Sequence, residues 1–194
     1  MFATFRSASV LLLLMTLTLG LLYPGLITLI GQALFPFQAN GSILYKDNEA
    51  IGSALIAQPF SKAQYFHPRP SSIDYQPMPS SGSNLGPTNE NLIKQVETRQ
   101  HAYLNNNPGV KNTPIDAVTT SGSGIDPDIS LANAYAQAAR IASVRHKSID
   151  QINQLIKQYT VHRQLGFLGE PHVNVLELNL ALDHTQAAKQ KNKH

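Results

Sequence analysis

The segment Val118-Thr119-Thr120-Ser121-Gly122-Ser123-Gly124-Ile125-Asp126-Pro127-Asp128-Ile129-Ser130 holds the side chains best suited to chemistry. Small residues and glycines that run into a helix can aim backbone N–H groups at an anion. Ser121, Gly122, Ser123, Gly124 and Asp126 are therefore a candidate phosphate loop. There is no Gly-Lys-Ser/Thr and no strand–GxGxxG–helix unit, and Asp126 and Asp128 would repel an anion at that place. The competing reading is a turn before a helix whose first N–H groups are capped by Asp126, Asp128 or Ser130. A hydrolase built on Ser121 or Ser123 would need a histidine and an acid, and no Gly-x-Ser-x-Gly elbow is present. The histidines at 67, 101, 146, 162, 172, 184 and 194 show no short ligand spacing, and no cysteine assists them, so neither a metal site nor a disulfide is expected. Glu170 and Glu177 are separated by Pro171 and do not read as an acid–base pair. A second candidate is Tyr65-Phe66-His67-Pro68-Arg69-Pro70, in which Tyr65, Phe66, His67 and Arg69 suit contact with a partner. A surface loop with a satisfied histidine explains the same residues.

These candidates sit on a predicted α+β domain. Ile43–Tyr45 and Ala50–Gln58 read as strands joined by the turn Lys46-Asp47-Asn48-Glu49. Over 59–88, Pro59, Pro68, Pro70, Pro77, Pro79 and Pro87 forbid regular helix, while Phe60, Tyr65, Phe66 and Tyr75 are too aromatic for a disordered linker. The segment is read as a long ordered loop, laid across the domain or against a partner. Helices are expected over 89–105, with Leu92, Val96 and Tyr103 on one face, and over 130–146, with Leu131, Tyr135, Ala138, Ile141 and Ala142 inward. A third is expected after the Ser148/Gln151 capping box, with Ile152, Leu155, Ile156 and Tyr159 as its apolar stripe. Val173–Leu182 alternates as a strand, Leu176, Leu178, Leu180 and Leu182 one way and Glu177 and Asn179 the other. The valines are out of phase, which suggests a bulge or a strand giving way to helix. The expectation is one small sheet, from strands at both ends of the domain, packed on about three helices.

In front of this domain, no charged side chain occurs from Ser7 to Tyr45. About 20 apolar residues in helix cross a hydrocarbon core of about 30 Å, so residues 10–33 are predicted to span a membrane once. Cleavage of a signal peptide near Gly31-Gln32-Ala33 is the rival reading; the apolar stretch is long for it. Pro24 removes one backbone donor and is expected to kink the helix, and Thr16, Gly20, Tyr23, Pro24 and Gly25 mark a surface where a partner helix can approach. Arg6 before the span, against Lys46 offset by Asp47 and Glu49 after it, places residues 1–9 in the cytoplasm and the domain (34–186) outside. The sequence pI of 9.2 belongs mainly to Arg6 and to a polar basic tail, 187–194, with Lys189, Lys191 and Lys193. Setting those four aside leaves 11 basic against 12 acidic side chains, so no nucleic-acid face is expected.

Taken in order, several stretches resemble the C subunit of the Kdp system, the potassium-transporting P-type ATPase family of bacteria. They are Tyr23-Pro24, Phe35–Ser42, Gly52–Gln58, Tyr65–Ser71, Gly82–Leu85, Asp116–Asp126, Ile129-Ser130, Gly169-Glu170-Pro171 and Val173–Asp183. Ala57 and Pro68 depart from the pattern, and Leu131 stands where the family often has proline. The resemblance implies a single-pass subunit of the bacterial inner membrane, not catalytic by itself. It would form a hetero-oligomer with a channel-like potassium subunit and a P-type catalytic subunit, stabilising the pump. It also implies a chaperone-like effect on ATP affinity; ATP enters through the resemblance alone, and no cofactor is expected from the residues. The other function class is a membrane-anchored hydrolase or phosphate-ligand sensor using Ser121–Asp126.

Overall fold

The computed structural model describes residues 2–46 and 48–191, with side chains described to 185. The chain divides into two compact units, Met1–Ser53 and Ala54–His194.

The first unit opens with a continuous 33-residue helix, Phe2–Leu34. It comprises α1 (Phe2–Leu17), a π-helical stretch Thr18–Leu22, and α2 (Tyr23–Leu34). The helix includes the whole of 10–33, the stretch expected to span a membrane, and extends beyond it at both ends. At 1.5 Å per residue it is about 50 Å long, more than a bilayer's hydrocarbon thickness. Pro24 lies in the first turn of α2, directly after the widened i→i+5 stretch, which accommodates its missing N–H. Thr28 Oγ1 donates to Pro24 O at 2.8 Å, so a threonine hydroxyl is satisfied within its own helix. The short α3 (Pro36–Ala39) leads into a turn with Gly41 at φ 83° and Ser42 at φ 50°. An antiparallel hairpin follows, β1 (Ile43–Lys46) and β2 (Glu49–Ser53). Leu44 pairs with Gly52 and Tyr45 with Ala50, leaving Ile51 as the extra residue of a bulge. Asp47 in the connecting turn lies outside the described residues.

The second unit contains α4 (Glu90–Asn106), β3 (Asp128–Ser130), α5 (Leu131–Val144), α6 (Ile149–Gln158), β4 (Thr160–Val161), β5 (His172–Asn174) and α7 (Val175–Lys191). Its antiparallel sheet has the order β3-β5-β4. One core joins sheet and helices: Ile129 and Val173 from the sheet, Ala138 and Ile141 from α5, Ile152 and Ile156 from α6, Leu178 and Leu182 from α7. The Ser148 capping box forms as expected, and Leu155 and Tyr159 pack against the core. The proline-rich segment carries no helix or strand over 59–88, yet Phe66 is 0% exposed inside this core and Phe60 packs beside it. Such burial of an aromatic ring gives the loop a fixed course despite its lack of backbone ladder.

Several expectations are corrected. The second strand ends at Ser53, because the next residues turn away: Asn174 Nδ2 donates to Ala54 O and Ala57 N to Ile125 O. The strands form two separate sheets rather than one. Over Val173–Leu182 the strand gives way to helix, the second of the two readings of the out-of-phase valines, and no bulge is needed: the strand ends at Asn174, the chain is helix from Val175, and Asn174 Oδ1 accepts from Glu177 N at its start. The inward residues are then Val175, Leu178 and Leu182, at helical spacing, and Asn179, expected on the polar side, is 1% exposed. Tyr135 is 38% exposed rather than inward, because α5 turns Asn133, Gln137 and Arg140 into the domain instead. The backbone of α7 continues to Lys191, into the expected tail, whose side chains lie outside the described residues.

Candidate functional site

In the first unit the candidate surface is the apolar helix itself. None of its side chains from Phe2 to Leu34 is buried. Thr16, Gly20, Tyr23, Pro24 and Gly25 are all exposed. A Cβ built on Gly20 would come no nearer than 4.0 Å to Thr16 Cγ2, and one on Gly25 would meet nothing within 4 Å. The helix therefore does not need these glycines for its own packing. An exposed apolar surface of this length is costly in water and suited to lipid and to other helices.

In the second unit a cleft of about 350 Å³ opens between the aromatic loop, α4 and α5. Its walls include Phe60, His67, Tyr75, Arg99 and Tyr103, and its floor is Asn133 and Gln137. Beneath that floor runs a polar spine along α5. Asp116 accepts from Ser130 N (2.8 Å), Ser130 Oγ (2.9 Å) and Asn133 Nδ2 (3.2 Å). Asn133 Oδ1 accepts from Tyr103 Oη (3.0 Å) and Gln137 Nε2 (2.9 Å). Gln137 Oε1 accepts from His67 N and Arg140 Nη2, and its Nε2 also donates to His67 O. Arg140 reaches Asn107 Oδ1, Tyr65 O and Ala63 O. Burial lowers the Arg140 pKa to about 10, which leaves it charged at neutral pH. Burial, then the Asp116 charge, raise that of Tyr103. For His67, burial first and the Arg140 charge second lower the pKa, while the Lys62 carbonyl at 3.1 Å from Nε2 opposes them. A neutral imidazole donating from Nε2 fits those surroundings.

A second polar cluster fastens the same loop to α7. Arg145 donates from Nε to Gln64 O (2.7 Å) and from Nη2 to Asp183 Oδ1 (2.9 Å), and stacks 5.0 Å over the Tyr65 ring. Tyr65 Oη donates to Asp183 Oδ2, and Asn179 bonds both backbone groups of Phe66. Of the four residues expected to meet a partner, Phe66 is therefore corrected: it is a core residue and presents nothing outward. Tyr65, His67 and Arg69 are half-buried, and Arg69 Nη1 pairs with Asp126 Oδ2 at 2.8 Å.

The Ser121–Asp126 loop is packed by its own chain. Ser121 is buried, and Ser123 Oγ accepts from Ile125 N. A Cβ at Gly82 would lie 3.0 Å from Gly122 O. Gly124, at φ 73°, would place one 2.6 Å from Ile73 Cγ1 and 2.7 Å from Ser81 O, so this position requires glycine. Asp126 Oδ1 accepts from Asp128 N, and Ser130 caps α5 through Asn133 N. Of the three candidate caps, Ser130 holds that place. Among the described residues neither serine is hydrogen-bonded to a histidine, and no cluster of three or more His, Asp or Glu could hold a metal.

Sequence reasoning did not single out the spine. Its trace was available as Asn133, Gln137 and Arg140, at i, i+4 and i+7 in an alanine-rich helix, and as Asn179 and Asp183 at i and i+4. Polar residues at helical spacing beside an apolar stripe read equally well as a solvated face.

The geometry describes an uncovered apolar helix and a domain whose polar side chains chiefly hold its own loop. A family model described as "K+-transporting ATPase, c chain" matches residues 5–184. The potassium-transporting ATPase KdpC subunit of Methylococcus capsulatus is 51% identical over 183 residues, covering 92% of this chain and 96% of its own. Its counterpart in Mycobacterium tuberculosis is 53% identical over 180 residues, covering 91% and 95%. That of Rhodospirillum rubrum is 50% identical over 186 residues, covering 94% and 96%. With a family match over most of its length and relatives at about half identity, the chain belongs to the KdpC family, the c chain of the K+-transporting ATPase.

Proposed function

We propose that this chain is a non-catalytic accessory subunit of an ATP-driven potassium pump, held in the bacterial inner membrane by the helix Phe2–Leu34. The observation that carries the reading is that helix: 33 residues, without a buried side chain, on a chain matched over residues 5–184 to the c chain of such an ATPase. Thr16, Gly20, Tyr23, Pro24 and Gly25 form the face that packs on helices of the channel-like and catalytic subunits, giving a hetero-oligomer. The domain lies outside and the N-terminus in the cytoplasm, a topology supported by Arg6 before the span and near-neutral flanks after it. A domain outside meets no cytoplasmic ATP. Any rise in the ATP affinity of the catalytic subunit then arises by coupling through the membrane subunits, not by nucleotide bound here.

The test is potassium uptake at low external potassium in a strain lacking this chain but retaining the other pump genes. Uptake should be lost and restored by the full chain; normal uptake without it overturns the proposal. The absence of cysteine makes topology directly measurable. A cysteine at exposed His101 should react with a membrane-impermeant maleimide in intact spheroplasts, and protection until lysis would reverse the orientation.

A further inference from the structure

The apolar helix leaves one of its own backbone acceptors without a donor. In an α-helix the Leu19 carbonyl would take the amide of Tyr23, four residues on. Tyr23 N–H donates to Thr18 O instead, because Thr18–Leu22 is wound as a π-helix. The amide five residues on belongs to Pro24, which has no N–H. The wide turn thus makes room for the proline and strands Leu19 O. Side chains do not repair the loss. Thr28 Oγ1 bonds back to Pro24 O at 2.8 Å, four residues earlier. The places from which a hydroxyl could do the same for Leu19 O, 22 and 23, hold a leucine and a tyrosine whose hydroxyl is at the far end of its ring. Among the described residues no side chain donates to Leu19 O; those of this helix bond to Ala3 O and Pro24 O. The stranded carbonyl lies near the middle of residues 10–33, within about 5 Å of their midpoint at 1.5 Å per residue.

We infer that Leu19 O accepts a hydrogen bond from a hydroxyl or amide side chain on a transmembrane helix of another pump subunit. The inference rests on the accessory-subunit reading and gives that contact a depth and a chemistry. Lipid tails carry no donor and the hydrocarbon core holds no water, so an unbonded carbonyl at that depth is costly until a protein group reaches it. The acceptor is open to such a group. Gly20, the next residue, covers nothing, and a Cβ built on it would have only Thr16 Cγ2 near it, at 4.0 Å. A partner backbone can therefore come close at the level of the stranded carbonyl, and Ser, Thr, Asn and Gln are the side chains that bridge helices across such an approach. Apolar packing along the span would tolerate sliding of one helix past the other; one acceptor at mid-depth fixes their register.

The experiment uses the tagged full chain made together with the other pump subunits, and measures the pump subunits that stay on it after mild detergent extraction. Tyr23→Thr supplies a hydroxyl that bonds back to Leu19 O as Thr28 does to Pro24 O, while Tyr23→Val has the same shape without the donor. Retention should be about fivefold lower for the threonine than for the valine, the weight of one interhelical hydrogen bond in a membrane. With Pro24→Ala added to each, a regular helix satisfies Leu19 O from its own ladder, and the ratio should fall to about one. Equal retention by the two variants with Pro24 in place, the wild-type chain still holding the pump, overturns the acceptor and leaves the subunit reading standing. The same fivefold ratio with and without Pro24 assigns the difference to packing at 23 and overturns it too. A wild-type chain that retains only further copies of itself, or nothing, overturns both. Should the Tyr23 or Pro24 variants hold too little pump to compare, Leu22→Thr against Leu22→Val decides by the same ratio, since a hydroxyl at 22 reaches that carbonyl across three residues.

Discussion

Arg140 and His67 show how a domain of modest core holds a long proline-rich loop. Arg140 is buried and donates to two side-chain and two backbone acceptors, three of them on or beside that loop's path. Arg140→Met fills a similar volume but strands Asn107 Oδ1 and Tyr65 O, each costing about 1–3 kcal/mol once buried without a donor, while Gln137 Oε1 keeps the His67 N–H. A loss of about 3 kcal/mol is expected, read as a melting temperature lowered by roughly 10 °C for the full chain in mild detergent. Arg163→Met, at an exposed pair, should change it little. His67 gives a pH dependence with a definite sign. Its pKa is lowered in the fold by burial and by Arg140, so below the ordinary histidine value of 6.5 the unfolded chain takes up the proton first. Stability should therefore fall as pH drops through the window between 6.5 and the lowered value. His67→Gln should flatten that part of the melting-temperature profile; an unchanged slope would remove His67 as its source. Asp128, raised by burial, acts in the opposite sense as pH falls towards the ordinary carboxylate range, and remains in both proteins.

At the scale of elements, the apolar helix offers the cleanest substitution. Gly20 has only Thr16 Cγ2 at 4.0 Å from a built Cβ, so Gly20→Leu fits its own helix and makes the span more apolar. Membrane insertion should be unchanged while retention of pump subunits falls about tenfold, the equivalent of 1–2 kcal/mol of helix packing. Gly20→Ala should retain most of it. Equal retention by the leucine variant would show that the face is turned to lipid. Which elements could be read beforehand follows from how local their signals are. Asn89 and Ser148 cap α4 and α6 through bonds within three residues, and those helices were legible to within a residue or two. The end of β5 was legible only as a choice between a bulge and a strand giving way to helix. Leucines at 176, 178, 180 and 182 satisfy a period of two, while Val175, Leu178 and Leu182 also satisfy a helix, and the choice is made by packing on α5 and α6.

For the molecule as a whole, the sequence was most informative where physics needs only one solvent. A charge-free run long enough to cross a bilayer announces itself without any knowledge of tertiary contacts. The interior of the domain did not, because its decisive groups are polar. Asn133, Gln137, Arg140, Arg145 and Asn179 look like surface residues until a loop with few backbone bonds of its own is laid over them. Phe66 failed as an expected partner contact for the same reason: the loop binds inward at that ring, and only its flanks remain half-open. The measurement that bears most directly on the whole is affinity purification of the tagged full chain from membranes containing the other pump gene products. The larger channel-like and catalytic subunits should remain bound in constant proportion through detergent extraction and gel filtration. Elution of the chain as a lone stable monomer, from membranes in which the pump remains intact and active, would contradict the account.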